Sequence, residues 1–303
     1  METGFKIYRM LCIINYKNKI DLVEYSEGGD FWNRYTKKFK YISHLHGSAF
    51  TFLQNSNQNI SLSDIFQRKA EHQFIRGANK VFSPSYSMVK LVESEMGATI
   101  KNASVVPYPI NRVKLAKGLG ADYKASRGKV SILFASRNDP AKGGKLLIKA
   151  LGLLPENNKA NICVEIFGFI PQTDLTHLPF LQVNKFVPKE DLEKAYQTAD
   201  ICVIPSIFDN SPNTVYEAMA YGKIVVASKV GGIPEIINSI DNGFLFDPRN
   251  INDLVDTLSK AIELVLSGES DKMRKNAQKR IFSMANPKEN MNKRLALIDK
   301  HFI

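Results

Sequence analysis

The chain has 303 residues, enough for two domains of ordinary size, and its 44% hydrophobic and 23% charged content is that of a globular protein rather than a disordered or fibrous one. No apolar run approaches the ~20 residues that span a bilayer, and the opening residues do not read as a signal peptide. The net charge of +11 is uneven: residues 1–127 hold 19 Lys and Arg against 10 Asp and Glu, and the remainder hold 22 against 20, so the first part suits an anionic partner.

Nothing in that basic part reads as a nucleic-acid module, which favours an anionic membrane face or a lipid-phosphate acceptor over nucleic acid. Cys12, Cys163 and Cys202 all lie in apolar stretches without metal-ligand spacing, and read as reduced core residues of a cytosolic protein.

In chain order, Ile7 to Ile14 reads as a strand, and Ile20 to Tyr25 as a second, before the loop Ser26 to Asp30. Phe31 to Tyr35 starts a short helix. Lys40 to Ser43 then runs into His44-Leu45-His46-Gly47. On a strand the two histidines share a face, and Gly47 lets a ligand approach the backbone. The competing reading of His46 is a strand-end histidine bonded to a neighbouring carbonyl; a metal would lack a third ligand. Asp64 to Ile75 reads as a helix, Ala78 to Ser83 as a strand, and Met88 to Met96 as a helix stopped by Gly97. Ser104 to Pro109 is a last short strand, and the polar stretch 111–128 reads as a linker.

Val130 to Ala135 opens a second domain as a buried strand, followed by the loop Ser136 to Gly144 and the apolar helix Leu146 to Leu153. Ile162 to Gly168 and Val183 to Pro188 read as strands, and Lys189 to Ala199 as a helix. Ile201 to Ile204 is an apolar run ended by Pro205, the pattern of a buried strand. Ser211 suits an N-cap and Pro212 the first helical position, so a helix is expected from there to about Tyr221, with Gly222 stopping it. Such a helix start carries free amides and partial positive charge, and suits a phosphate or pyrophosphate.

Two carboxylates flank that start, Asp209 before it and Glu217 inside it. A helical wheel puts Glu217 on the face of Asn213 and Thr214, while Val215, Ala218 and Met219 turn to a core. A carboxylate can accept two hydrogen bonds from a vicinal diol, so the element suits a sugar nucleotide; the bland reading of Glu217 is a solvated helix face. Ile224 to Ala227 is the next strand, Val230 to Pro234 a turn, and Asn242 to Pro248 a tight turn with a short strand. Helices are expected over Ile251 to Leu266, from Asp271 to near Asn286, and over Lys288 to Phe302.

The run D-N-S-P-N-T-V-Y-E-A-M-A-Y-G at 209–222, with G-G-I-P-E at 231–235 and N-G-F-L-F-D-P at 242–248, resembles the acidic E-x7-E region of the family 4 glycosyltransferases of GT-B fold. The stretch from Arg137 to Gly143 resembles the R-x4-K-G loop of the same family. The resemblance implies that Glu217 holds the nucleotide ribose and that Asp209, where Glu is usual, lies against the donor sugar. It further implies that Arg137 and Lys142 neutralise the donor diphosphate, helped by the amides of Asn213, Thr214 and Val215, and that His46 lines the sugar face. Two fixed cations beside a departing diphosphate stabilise its charge more in the transition state than before it. Two positions depart from the family: Phe169-Ile170-Pro171 stands where glycines are frequent, and Lys185 where a Gly is common.

The implied fold is α/β, a GT-B arrangement of two Rossmann-like parallel-sheet domains facing a cleft. Its first domain is expected to be truncated, because relatives place a similar His motif mid-way through that domain. The expected divisions are an acceptor-side domain with linker over 1–127, a nucleotide-sugar-binding domain over 128–285, and a helix over 286–303 that crosses back. The implied activity is a retaining, metal-independent glycosyltransferase with a nucleotide-sugar donor, UDP-linked, no further cofactor, and a glycan or lipid-linked acceptor of cell-surface polysaccharide or lipopolysaccharide synthesis. A cytoplasmic protein touching the inner membrane face through its basic first domain is the matching location. Two rivals stand beside this reading: a non-catalytic nucleotide-sugar-binding chain or inactive remnant, and a sugar-nucleotide epimerase of the same fold.

Overall fold

The computed structural model describes residues 2–29, 31–47, 61–110, 128–169, 174–185 and 188–302. The chain divides into two compact units, Met1–Pro107 with Glu289–Ile303, and Tyr108–Lys288. The linker expected over 111–128 falls, except for Gly128, outside the described residues, as does part of the family departure at 169–171.

The first unit carries a four-stranded parallel sheet in the order β1 (Val23–Ser26), β2 (Tyr41–His44), β3 (Lys80–Ser83), β4 (Ala103–Val105). Its helices are α1 (Glu2–Lys17), α2 (Phe31–Thr36), α3 (Leu62–Gly77) and α4 (Tyr86–Met96). Ser61 and Asp64 close a capping box at the start of α3, and Gly97, with φ of 60°, ends α4. The strand expected over Ile7 to Ile14 is instead the middle of α1. An apolar run of that length does not separate strand from buried helix, and Lys6, Arg9, Met10 and Leu11 all favour the helix. The last strand ends at Val105, short of Pro107 and Pro109, neither of which can donate to a ladder.

The second unit is a six-stranded parallel sheet in the order β10-β9-β8-β5-β6-β7. The strands are β5 (Val130–Ala135), β6 (Ile162–Phe167), β7 (Leu181–Asn184), β8 (Ile201–Ile204), β9 (Ile224–Ser228) and β10 (Phe244–Phe246). Between them run α5 (Gly144–Leu153), α6 (Glu156–Ala160), α7 (Lys189–Thr198), α8 (Asn213–Ala220), α9 (Ile233–Ile236) and α10 (Ile251–Leu266), followed by α11 (Asp271–Met284) and α12 (Pro287–Phe302). Residues of α12 from Glu289 onward cluster with the first unit.

Both faces of this sheet are covered, so its central strands are continuous apolar runs rather than alternating ones. One face packs Phe134, Leu147, Leu151, Ile166, Leu254 and Leu258 together. The other packs Leu133, Tyr196, Cys202, Val215, Met219 and Ile281. Cys163 is not a core residue as expected, but exposed, because it occupies an outward position in the alternating start of β6. β7 lies upstream of the expected Val183 to Pro188, and residues 186 and 187 are outside the described set. The chain leaves β5 towards β6 on one side of the sheet and returns to β8 on the other. The carboxyl ends of β5 and β8 therefore form the crevice in which this architecture binds ligands.

Candidate functional site

A cleft of about 290 Å³ opens at that switch point in the second unit. It is lined by Ser136, Arg137 and Lys142 from the loop after β5, by Ser206 after β8, and by Pro212, Asn213 and Thr214 at the start of α8, over a floor from Phe134, Ala135, Val203 and Ile204. Arg137 and Lys142 thus meet the helix start that the sequence pairs them with.

Two glycines set this geometry. Gly143 has φ of 73°, and a Cβ there would lie 1.7 Å from the Pro205 carbonyl oxygen. Only a residue without a side chain lets the basic loop lie on the end of β8, where the Ile207 amide donates to the Ala141 carbonyl at 2.8 Å. Asp139 caps the one-turn 3-10 helix Pro140–Lys142 by accepting from the Ala141 amide, which fixes the base of Lys142. Gly231, with φ of 52°, plays the same part on the far side: a Cβ would stand 1.7 Å from the Asp209 carbonyl oxygen. The Gly232 amide donates to Asn210 at 2.9 Å.

The helix begins one residue later than expected. Pro212, with ψ of 124°, is the N-cap and Asn213 the first helical residue, while the Ser211 hydroxyl pairs with that of Tyr216 at 2.9 Å. The Asn213 and Thr214 amides occupy helical positions that no helical carbonyl can reach. The Val215 amide is not available as expected: it donates to the Pro212 carbonyl at 3.0 Å. Its side chain, with those of Ala218 and Met219, is fully buried.

Asp209 is 6% exposed and its Oδ2 accepts from Lys142 Nζ at 2.6 Å and from the Ser206 hydroxyl at 3.4 Å. Glu217 is half-buried and does not line the cleft itself; burial first, and then the Glu217 charge, push the hydroxyl of Tyr196 on α7 well above its ordinary range. Sequence reasoning missed Ser206, which was within reach as the first residue after the strand-ending Pro205.

His46 belongs to the first unit and is placed within that unit alone. Its ring is exposed and stacks on His44 at 5.8 Å and 19°, and its amide donates to both carboxylate oxygens of Glu27. Beside it, Arg294 contacts Glu24, lies 2.6 Å from His44 Nε2, and stands over the Phe82 ring at 5.2 Å. The His44 imidazole, and after it the Arg294 guanidinium, hold the Glu24 carboxyl down to about 2. Among the described residues, no group of three or more His, Cys, Asp or Glu is placed to hold a metal, and no helix is long and apolar enough to cross a membrane.

The model of the family "Glycosyl transferases group 1" matches residues 121–280, more than half of the chain and all of the cleft just described. The chain belongs to the glycosyl transferases group 1 family. The family 4 resemblance read from the motifs and the GT-B fold are therefore both met. An uncharacterized glycosyltransferase of Methanocaldococcus jannaschii is 33% identical over 162 residues, which is 50% of this chain and 40% of that relative. The D-inositol 3-phosphate glycosyltransferase of Corynebacterium efficiens is 31% identical over 145 residues, 44% of this chain and 34% of that relative.

Among solved structures, the sucrose-phosphate synthase of Thermosynechococcus elongatus superposes with a TM-score of 0.77 at 18% identity, over 99% of this chain and 78% of that one. HepE of Anabaena, solved in complex with UDP, superposes with a TM-score of 0.72 at 17% identity, over 96% and 81%. These structures share the GT-B fold with this group 1 chain, which spans less than half the length of the two relatives above.

Proposed function

We propose that this chain transfers a sugar from a UDP-linked donor to a hydroxyl of a glycan or lipid-linked acceptor, with retained anomeric configuration and without a metal. The observation that carries this reading is the single cleft that gathers Arg137, Lys142 and the start of α8 at the β5/β8 switch point. HepE, of the same fold, holds UDP and UDP-glucose in its crystal structures, which favours uridine for the base.

In this reading the diphosphate oxygens meet the Arg137 guanidinium, the Lys142 ammonium and the amides of Asn213 and Thr214. Glu217 meets the ribose hydroxyls. Asp209 commits Oδ2 to Lys142 and Ser206, which leaves Oδ1 for a hydroxyl of the donor sugar. The family resemblance assigns the sugar face to His46, which belongs to the first unit. As the bond from the anomeric carbon to the phosphate oxygen breaks, its electron pair leaves with UDP. The two cations and the helix start meet the charge where it grows. The acceptor oxygen bonds to the anomeric carbon on the face that UDP leaves, and its proton passes to the departing phosphate oxygen. No side chain need act as base.

The excess of 19 basic over 10 acidic residues in the first 127 suits an anionic, lipid-linked acceptor at a membrane face. The test is UDP release from a panel of UDP-sugars, with and without lipid-linked and soluble glycans and with chelator throughout. Acceptor-dependent release that chelator leaves untouched is expected. UDP binding with no release under any acceptor favours a binding chain, and conversion of the donor alone favours an epimerase.

A further inference from the structure

The basic bias of the first unit has a local source that the cleft of the second unit does not use. Arg34, Lys37, Lys38 and Lys40 fall within seven residues, and no Asp or Glu occurs between Asp30 and Asp64. Three cations, Lys37, Lys40 and Arg76, line a cavity of about 720 Å³ that lies wholly within the first unit. Among the described residues that line it there is no carboxylate. It opens at the amino end of the sheet, where Tyr41 begins β2 and Asn79 precedes β3, whereas His46 follows the opposite end of β2. The C-termini of α2 and α3 lie at the amino end as well, and each carries at most about half a negative charge. The three cations outweigh both helix ends together.

The loop that carries Lys37 is held firmly. Asn33 is fully buried, and its side chain closes on Phe39 twice: Oδ1 accepts from the Phe39 amide at 3.0 Å, and Nδ2 donates to the Phe39 carbonyl at 3.2 Å. Lys37 sits at φ of 51° just past the end of α2, a conformation that glycine adopts without strain and lysine does not. Its amide donates to the Asn33 carbonyl at 2.7 Å. Arg76 gives one N–H to the Met96 carbonyl at 2.8 Å, and a guanidinium has five to give.

We propose that this cavity binds a phosphate ester, with Lys37, Lys40 and Arg76 on the phosphoryl oxygens and the organic part against the buried rings of Phe39 and Tyr41. A guanidinium fork matches two phosphoryl oxygens at once, and each ammonium adds a point charge. The volume falls in the roughly 300–1,000 Å³ range of small-molecule sites, which leaves room for more than a bare phosphate ion.

Such a group arrives on a small soluble ester or on a lipid headgroup, and the experiment separates the two. Titration calorimetry at low ionic strength measures glucose 6-phosphate. Co-sedimentation measures vesicles of phosphatidylcholine alone and of phosphatidylcholine with an equal part of phosphatidic acid. Both are run on the full chain as wild type, as Lys37→Gly combined with Lys40→Gln, and as Arg137→Ala combined with Lys142→Ala, which removes the cations of the cleft. The Lys37 and Lys40 variant is expected to bind roughly tenfold or more weakly, and the cleft variant as wild type does. Lys37→Gly alone is expected to weaken binding while melting near the wild-type temperature, because glycine accepts the left-handed backbone. Saturable binding of glucose 6-phosphate that the Lys37 and Lys40 variant loses supports the cavity and assigns it a soluble ester. Vesicle binding that needs phosphatidic acid, and that the same variant loses, supports it and assigns a headgroup. Wild type that binds neither glucose 6-phosphate nor the acidic vesicles would overturn the proposal. So would equal binding by wild type and the Lys37 and Lys40 variant, or a loss seen only in the cleft variant.

Discussion

Lys142 Nζ lies 2.6 Å from Asp209 Oδ2, which joins the basic loop after β5 to the acidic loop after β8 across 67 residues of chain. The Asp209 side chain is 9% exposed and that of Lys142 21%, so the pair is largely withdrawn from water. In the proposed reading, the donor diphosphate shares Lys142 with a carboxylate that is already in place.

That sharing separates two substitutions. Lys142→Ala leaves the Asp209 carboxylate desolvated without its cation, which is expected to cost about 1–3 kcal/mol of stability and to weaken UDP. Asp209→Asn frees the ammonium. It is expected to bind UDP at least as tightly as wild type while turning over the UDP-sugar more slowly. Denaturant unfolding, UDP titration and UDP-release rates measure the three effects.

Gly143→Ala is expected to damage the cleft before the core. The added methyl would meet the Pro205 carbonyl at 1.7 Å, and φ of 73° disfavours any side chain. A loss of more than about 1 kcal/mol in unfolding free energy is expected, since the native conformation is incompatible with the new residue. UDP binding should fall further than stability does, because the same loop carries Arg137 and Lys142. Equal stability and equal UDP affinity would contradict the role given to this turn.

The strands around the cleft were legible because a sheet covered on both faces needs uninterrupted apolar runs, as at Ile201–Ile204, bounded by turn residues such as Pro205. α1 was not, since an apolar run of that length reads equally as a strand or as part of a buried helix. The basic loop and helix start were readable from residue types and spacing. The Lys142–Asp209 pair depends on which loops become neighbours, which no local pattern encodes.

Lys223 offers a pH signature of folding. Burial brings its ammonium down from 10.5 to about 8, while its Nζ donates to the Gln197 carbonyl at 2.8 Å. Between about pH 8 and 10.5 the unfolded chain therefore holds more protons at this site than the folded one. Its contribution to the unfolding free energy consequently rises with pH in that window. Cys202, pushed up to about 12 by burial, acts in the opposite sense above about pH 9, so the comparison is made between wild type and variant. Lys223→Met should show a flatter, or more steeply falling, stability profile than wild type across pH 8–10.5, measured by denaturant unfolding at each pH. Parallel profiles would contradict the buried, destabilised ammonium.

The most direct test of the cleft is the ratio of UDP to uridine affinity, measured by titration calorimetry in wild type and in Arg137→Ala combined with Lys142→Ala. With both cations and the α8 amides at the diphosphate, wild type should prefer UDP by orders of magnitude, and the double variant should lose most of that preference while its uridine affinity stays close to wild type. A double variant that still prefers UDP over uridine as strongly as wild type would show that the diphosphate docks elsewhere.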